Sequence, residues 1–118
     1  MTMDKNSKIS GNMFTEKPLK GQHAVITGGS RGIGAAISNY LAHLGADISL
    51  TGRTEKTLAE QANYIRNSYK VKVHTALGNM ADELDVGRCF ESASKELGSV
   101  QILVNNAGIG KSAPFHRM

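Results

Sequence analysis

A short apolar run, His23-Ala24-Val25-Ile26, opens into Thr27-Gly28-Gly29-Ser30-Arg31-Gly32-Ile33-Gly34, and a helical pattern from Ile33 to Leu44 follows. No other stretch restricts the fold as strongly, because strand, glycine turn and helix in that order is the context that gives a glycine pattern meaning. Each glycine has a physical job there. Gly28 lets the chain turn sharply off the strand end, where a side chain would clash. Gly32 lets the backbone approach a bound pyrophosphate, and Gly34 lets the helix pack tightly on the sheet. The first-turn N–H groups of the helix have no partner within it, so they are open to an anion, and the helix dipole adds to the attraction. The plain alternative is a glycine-rich turn that binds nothing; the matching flanks favour nucleotide binding.

The spacing is T-G-x-x-x-G-x-G, not the G-x-G-x-x-G of the standard dinucleotide fingerprint. A second motif, Asn105-Asn106-Ala107-Gly108, follows an apolar run near the end of the chain. Together the two motifs resemble the short-chain dehydrogenase/reductase family, whose members bind NAD or NADP in this loop and carry N-N-A-G at the end of the fourth strand. The resemblance runs from Lys20 to the end of the chain. The spelling of the glycine loop is most similar to that of 3-oxoacyl-thioester reductases within the family.

Between the motifs the chain alternates regularly. The first strand is expected at Gln22–Thr27, and the helix after it places Ile33, Ile37, Leu41 and Leu44 on one face, with Gly45 as its C-cap and His43 in its last turn. The second strand is Asp47–Thr51; Thr54 then caps a helix carrying Leu58, Ala62, Ile65 and Tyr69, with Glu55 in its first turn. The third strand is Val71–Leu77, with Val71, Val73 and Leu77 alternating against Lys72 and His74, so His74 reads as a strand-surface residue. Asp82 caps a third helix with Val86, Phe90, Ala93 and Leu97 on one face, and Gly98 stops it. The fourth strand is Gln101–Asn105, and Ile109–Met118 reads as loop. This β-α-β-α-β-α-β pattern predicts an α/β fold, a Rossmann-type doubly wound parallel sheet of order 3-2-1-4. Its switch point lies between strands one and four, where both motifs end, so one crevice there is the expected site.

Bulk properties bound the rest. The 118 residues suffice for one domain, and 40% hydrophobic with 20% charged residues is ordinary globular composition. The net charge is +4, and Lys5, Lys8, Lys17 and Lys20 against Asp4 and Glu16 put half of it in the first twenty residues. With no Lys/Arg stripe and 5% aromatics, a nucleic-acid partner is not expected. No run approaches the ~20 apolar residues of a membrane span. Residues 1–20 have neither an apolar core nor an Arg and read as a flexible leader, leaving 21–118 as a partial Rossmann domain. Cys89 stands alone, so no internal disulfide forms; it reads as core filler, and a cytoplasmic setting is expected.

The cofactor is read at the end of strand two. The acidic residue that takes the ribose hydroxyl of NAD belongs there, but the place falls at Gly52, followed by Arg53, while Asp47 sits at the other end of the strand. Arg31 lies in the glycine loop. Two guanidiniums and no carboxylate suit a 2′-phosphate, so NADP is expected over NAD. The resemblance implies that Gly28, Gly29, Ser30, Arg31, Gly32, Ile33 and Gly34 form the phosphate loop and that Arg53 faces the adenosine ribose. It puts Asn79 and Met80 beside the adenine, where members often carry Asp and an aliphatic residue; Asn is a departure, though its amide can accept from the adenine amino group. Asn106, Ala107 and Gly108 would pass behind the ribose and nicotinamide, with Asn105 bracing the sheet.

The family's chemistry rests on a Tyr-x-x-x-Lys pair with a preceding Ser. Here Leu44, Ser68 and Val73 stand four residues after Tyr40, Tyr64 and Tyr69, so the pair is absent. Ser112 reads as a solvated loop residue rather than a substrate contact. No catalytic or metal-binding residue is expected in the chain. The expectation is the cofactor-binding half of a carbonyl reductase, inactive by itself, whose complete form is a homo-oligomer acting on a small carbonyl or alcohol. The competing expectation is a half domain that binds a nucleotide or a partner without catalysis.

Overall fold

The computed structural model describes residues 17–106. Seven elements alternate: β1 (His23–Thr27), α1 (Gly32–His43), β2 (Asp47–Gly52), α2 (Glu55–Tyr69), β3 (Val73–Leu77), α3 (Glu83–Leu97) and β4 (Ile102–Asn105). The strands form one parallel sheet in the order β3-β2-β1-β4, as the sequence predicts. Thr27 pairs with Thr51 on one side and Asn105 on the other, which brings the carboxyl ends of three strands level. All five residues of β1 are buried, because the strand has neighbours on both edges.

The two faces of the sheet differ in chemistry. Ala24, Ile26, Ile48, Leu50 and Val73 share a core with Ala42 of α1 and Leu58, Ala62 and Ile65 of α2. Each fully buried Ile or Leu contributes roughly 1.5–3 kcal/mol, so this apolar layer dominates the stability. The other face meets α3, which fully buries only Cys89 and Ala93. That layer is joined by side-chain hydrogen bonds. His23 Nδ1 lies 3.0 Å from the Gly98 carbonyl and Nε2 lies 2.7 Å from Ser49 Oγ. A carbonyl only accepts, so Nδ1 carries the proton, and in the neutral ring the Ser49 hydroxyl then donates to Nε2.

His74 Nε2 sits 2.8 Å from Ser92 Oγ of α3, while its Nδ1 is buried without a partner among the described residues. The strand-surface expectation for His74 is thus corrected: α3 lies over it, and burial pushes its pKa down.

The apolar face expected for α1 is also rotated. Gly34, Ser38 and Ala42 form the buried stripe, and Ile33 is 66% exposed. Small residues let the helix axis approach the sheet, so Ile37 and Leu41 pack at the core's edge instead of its centre. Gln61 Nε2 of α2 then reaches Ser38 Oγ at 3.1 Å and Asn39 Oδ1 at 2.8 Å.

The helix ends follow the sequence with two exceptions, since Leu44 and not Gly45 is the C-cap of α1 and Thr54 does not cap α2 through its side chain. Asp82 accepts from Leu84 N at 2.9 Å, and Gly45 (φ 104°) follows α1 in the left-handed region. Thr54 occupies the N-cap position of α2, but its side chain makes no capping hydrogen bond. Residues 17–20, expected in the leader, form a turn tied to α1 by Leu19 N donating to the Leu44 carbonyl. No helix among the described residues is long and apolar enough to cross a membrane.

Candidate nucleotide site

The site is built where β1 gives way to α1. Gly28 (φ 65°) turns the chain off the strand, and its N–H donates to the Thr51 carbonyl at 2.9 Å, tying the turn to the end of β2. Gly29 lies so close to the sheet that an added Cβ would fall 2.7 Å from Leu50 Cδ2. Gly32 (φ 56°) has open space where a Cβ would point. Arg31 is the extended N-cap residue of α1, no side chain caps that end, and its first turn holds no acidic residue. The N–H groups there keep their donors open and the positive end of the dipole is uncompensated, which favours a bound anion.

A cavity of about 520 Å³ opens above these groups. Its walls are Gly28, Ser30 and Arg31 from the glycine loop, Gly52, Arg53, Thr54 and Thr57 from the β2–α2 junction, and Gly78, Asn79, Met80 and Ala81 from the β3–α3 loop. The side chains of Arg31 and Arg53 form no ion pair or hydrogen bond with the described residues, and no carboxylate lines the cavity. Thr57 Oγ1 lies 3.2 Å from Ser30 Oγ, so the first turn of α2 is tied to the glycine loop.

Six of the residues expected at the site therefore line one cavity: Gly28, Ser30, Arg31, Arg53, Asn79 and Met80. Gly29 and Gly34 lie behind it as packing positions, Gly32 stands at the mouth of α1, and Ile33 is exposed outside the lining. Gly34 meets the turn and not the sheet, for an added Cβ would press on the Gly28 carbonyl oxygen and fall 2.6 Å from Asn106 Nδ2. The cavity lies over the ends of β1, β2 and β3, to one side of the crevice expected between β1 and β4. Asn106 does not line it. Its backbone N–H donates to Thr27 Oγ1 at 2.9 Å and its side chain donates to the Gly28 carbonyl at 3.0 Å. Thr27 Oγ1 in turn lies 3.2 Å from Asn105 Oδ1, so Asn105 braces the sheet as expected. Ala107, Gly108 and Ser112 lie outside the described residues.

Asn79 Oδ1 accepts from Ala81 N at 2.9 Å, so the oxygen expected to meet adenine is turned onto its own loop. Gly52, Thr54, Thr57, Gly78 and Ala81 also line the cavity, although they were not among the residues expected to bind the cofactor. A signal for Thr57 was present: it stands three residues after the N-cap Thr54, on the same side of the first turn of α2. Cys89 is buried as expected, its Sγ 3.7 Å from the Leu77 carbonyl, and burial pushes its thiol pKa up.

A parallel sheet of order 3-2-1-4 with an open, uncapped glycine turn at the end of its central strand defines a nucleotide-binding α/β fold. The short chain dehydrogenase family model matches residues 22–118, and the chain belongs to that family. It is 37% identical over 103 residues to the 3-oxoacyl-(acyl-carrier-protein) reductase FabG of Aquifex aeolicus, covering 87% of this chain and 42% of that protein. It is 40% identical over 100 residues to the L-rhamnose 1-dehydrogenase (NADP(+)) of Thermoplasma acidophilum, covering 85% and 39%. Among solved structures, L-sorbose reductase from Gluconobacter frateurii, complexed with NADPH and L-sorbose, superposes with a TM-score of 0.75 at 38% identity, covering 79% of this chain and 35% of that one. The chain thus spans less than half the length of these relatives.

Proposed function

We propose that the chain is the cofactor-binding half of an NADP-dependent oxidoreductase that interconverts a carbonyl and an alcohol. The observation that carries the reading is the pair of unpartnered guanidiniums, Arg31 and Arg53, in a cavity lined by no carboxylate. The open end of α1 would take the pyrophosphate, and Arg31 and Arg53 the 2′-phosphate. Met80 would flank the adenine, and Asn106 with Ala107 and Gly108 would run behind the ribose and nicotinamide. Bound NADPH supplies the hydride. The relatives named for NADP or solved with NADPH support this choice of cofactor.

A 3-oxoacyl thioester is the substrate class favoured by the glycine-loop spelling and by the likeness to the Aquifex reductase. A cytoplasmic homo-oligomer completes the reading. Calorimetry with NADPH and NADH tests it: tighter binding of NADPH is expected, and equal affinities would remove the argument from the two arginines.

The alternative reading is a nucleotide-binding half without catalysis, since these 118 residues contain no Tyr followed four residues on by Lys and span less than half of the relatives' length. Under this reading the chain binds NADPH but a partner chain supplying Tyr-x-x-x-Lys produces no carbonyl reduction; under the first, such a partner does.

A further inference from the structure

We infer that Asp85 is a positioning residue for the adenine side of the cavity: from α3, its carboxylate holds the Asn79–Ala81 loop in the shape that forms the cavity wall. The inference rests on the nucleotide reading above and deepens it.

The loop leaves the sheet at Gly78, whose N–H donates to the Gly52 carbonyl at 2.9 Å. At that point α3 presses on the backbone, since a Cβ on residue 78 would fall 2.8 Å from Cys89 Sγ and 3.4 Å from Asp85 Cβ. The next N–H, that of Asn79, donates to Asp85 Oδ2 at 2.8 Å across six residues of sequence. Arg88, one turn along α3, pairs with the other carboxylate oxygen, so both oxygens of Asp85 are engaged. An N–H donated to a carboxylate is a short, charge-assisted bond, stronger than one between neutral groups.

With its backbone held this way, Asn79 closes the loop twice. Its side-chain oxygen accepts from Ala81 N, and its carbonyl accepts from Asp82 N at 2.9 Å. Asn79, Met80 and Ala81 face the cavity; Asp85 does not and acts only through them.

The test uses the 118-residue chain with D85A, D85S and D85N. The serine is too short to reach the amide, whereas the asparagine keeps an acceptor. Amide exchange at Asn79 is read by NMR, and calorimetry is run with adenosine 2′,5′-bisphosphate and with inorganic pyrophosphate. In D85A and D85S, Asn79 should exchange about tenfold faster. The bisphosphate should bind roughly three- to tenfold more weakly and pyrophosphate within about twofold of the parent chain. D85N should restore both readouts most of the way. Unchanged exchange at Asn79, or an equal loss for pyrophosphate and the bisphosphate, overturns the role of Asp85. A parent chain that binds neither probe overturns the nucleotide reading instead, and exchange at Asn79 still decides whether Asp85 holds the loop.

Discussion

The side chain of Asn106 donates to the carbonyl oxygen of Gly28 at 3.0 Å, joining two motifs that lie 78 residues apart in the sequence. Gly34 sits against both groups, and an added Cβ there would lie 2.6 Å from Asn106 Nδ2. Two effects compete in Gly34→Ala. Helix propensity favours Ala by about 1 kcal/mol, while the clash with a backbone carbonyl and a bonded amide costs about 1–3 kcal/mol and cannot be relieved by a rotamer change. A net destabilisation of up to about 2 kcal/mol is expected. Urea unfolding measures it, and a more stable variant would falsify the view that this junction is tight.

Arg53→Ala should weaken NADPH and leave NADH nearly untouched. A hydrogen bond to a charged group contributes about 1.5–3 kcal/mol, and the exposure of Arg53 places it at the low end, so the loss should be about tenfold. Calorimetry with both cofactors reads the difference. A parallel loss for NADH would mean that Arg53 does not contact the 2′-phosphate.

The chain alone should oxidise no NADPH with ketones or 3-oxoacyl thioesters. Carbonyl reduction needs a proton donor at the substrate oxygen, worth typically 10²–10⁴ in rate, and Tyr40, Tyr64 and Tyr69 all lie on α1 and α2, outside the residues that line the cavity. Turnover above background would show that some other group supplies the proton.

Acid should destabilise the fold through His74. Burial lowers its pKa in the folded state, so the unfolded chain binds the proton more readily. By linkage, this contribution to stability is complete above the ordinary histidine range and is lost as pH falls through about 6.5 and below. Glu96 opposes the shift and His23 adds to it. His74→Gln, which can still bond Ser92, should flatten the fall in melting temperature between neutral pH and pH 5. An identical pH profile in the variant would rule His74 out as the cause.

Among the described residues β4 has a strand neighbour on one side only, and its four residues are all half-buried. An unpaired edge carrying Ile102, Leu103 and Val104 is a template for association. Sedimentation should show concentration-dependent self-association of the 118-residue chain. A monodisperse monomer across the range would mean that the edge is covered.

Element order, strand order and the glycine turn were legible because they depend on local periodicity and on connections of fixed hand. Side-chain placement at the site was less so. Gly28, Arg31, Arg53, Asn79 and Met80 do gather at one cavity, since each stands at the carboxyl end of a strand. Helical spacing marked Ile33 as a core position, yet it cannot report that α1 buries Gly34 against the glycine turn and only Ser38 and Ala42 further along the same stripe. Alternation likewise put His74 opposite Val73 without saying that α3 covers its side of the sheet. The displacement of the cavity towards β3 has the same origin: it depends on how the β3–α3 loop folds back on Asp85, which no local pattern records.

The unlike faces of the sheet have a dynamic consequence. The side under α1 and α2 is closed by aliphatic contact, whereas α3 is held by a few directed bonds around Cys89 and Ala93. Segments with few buried apolar contacts open locally at lower free energy than the core. Detachment of α3 would carry Asp85 away from Asn79 and dissolve the wall of the cavity formed by Met80 and Ala81, while the glycine turn, anchored on β1 and β2, kept its shape. A group lodged against Met80 and Ala81 would then lose its wall whenever this one helix lifted from the sheet, whereas a group held at the glycine turn would keep its contacts.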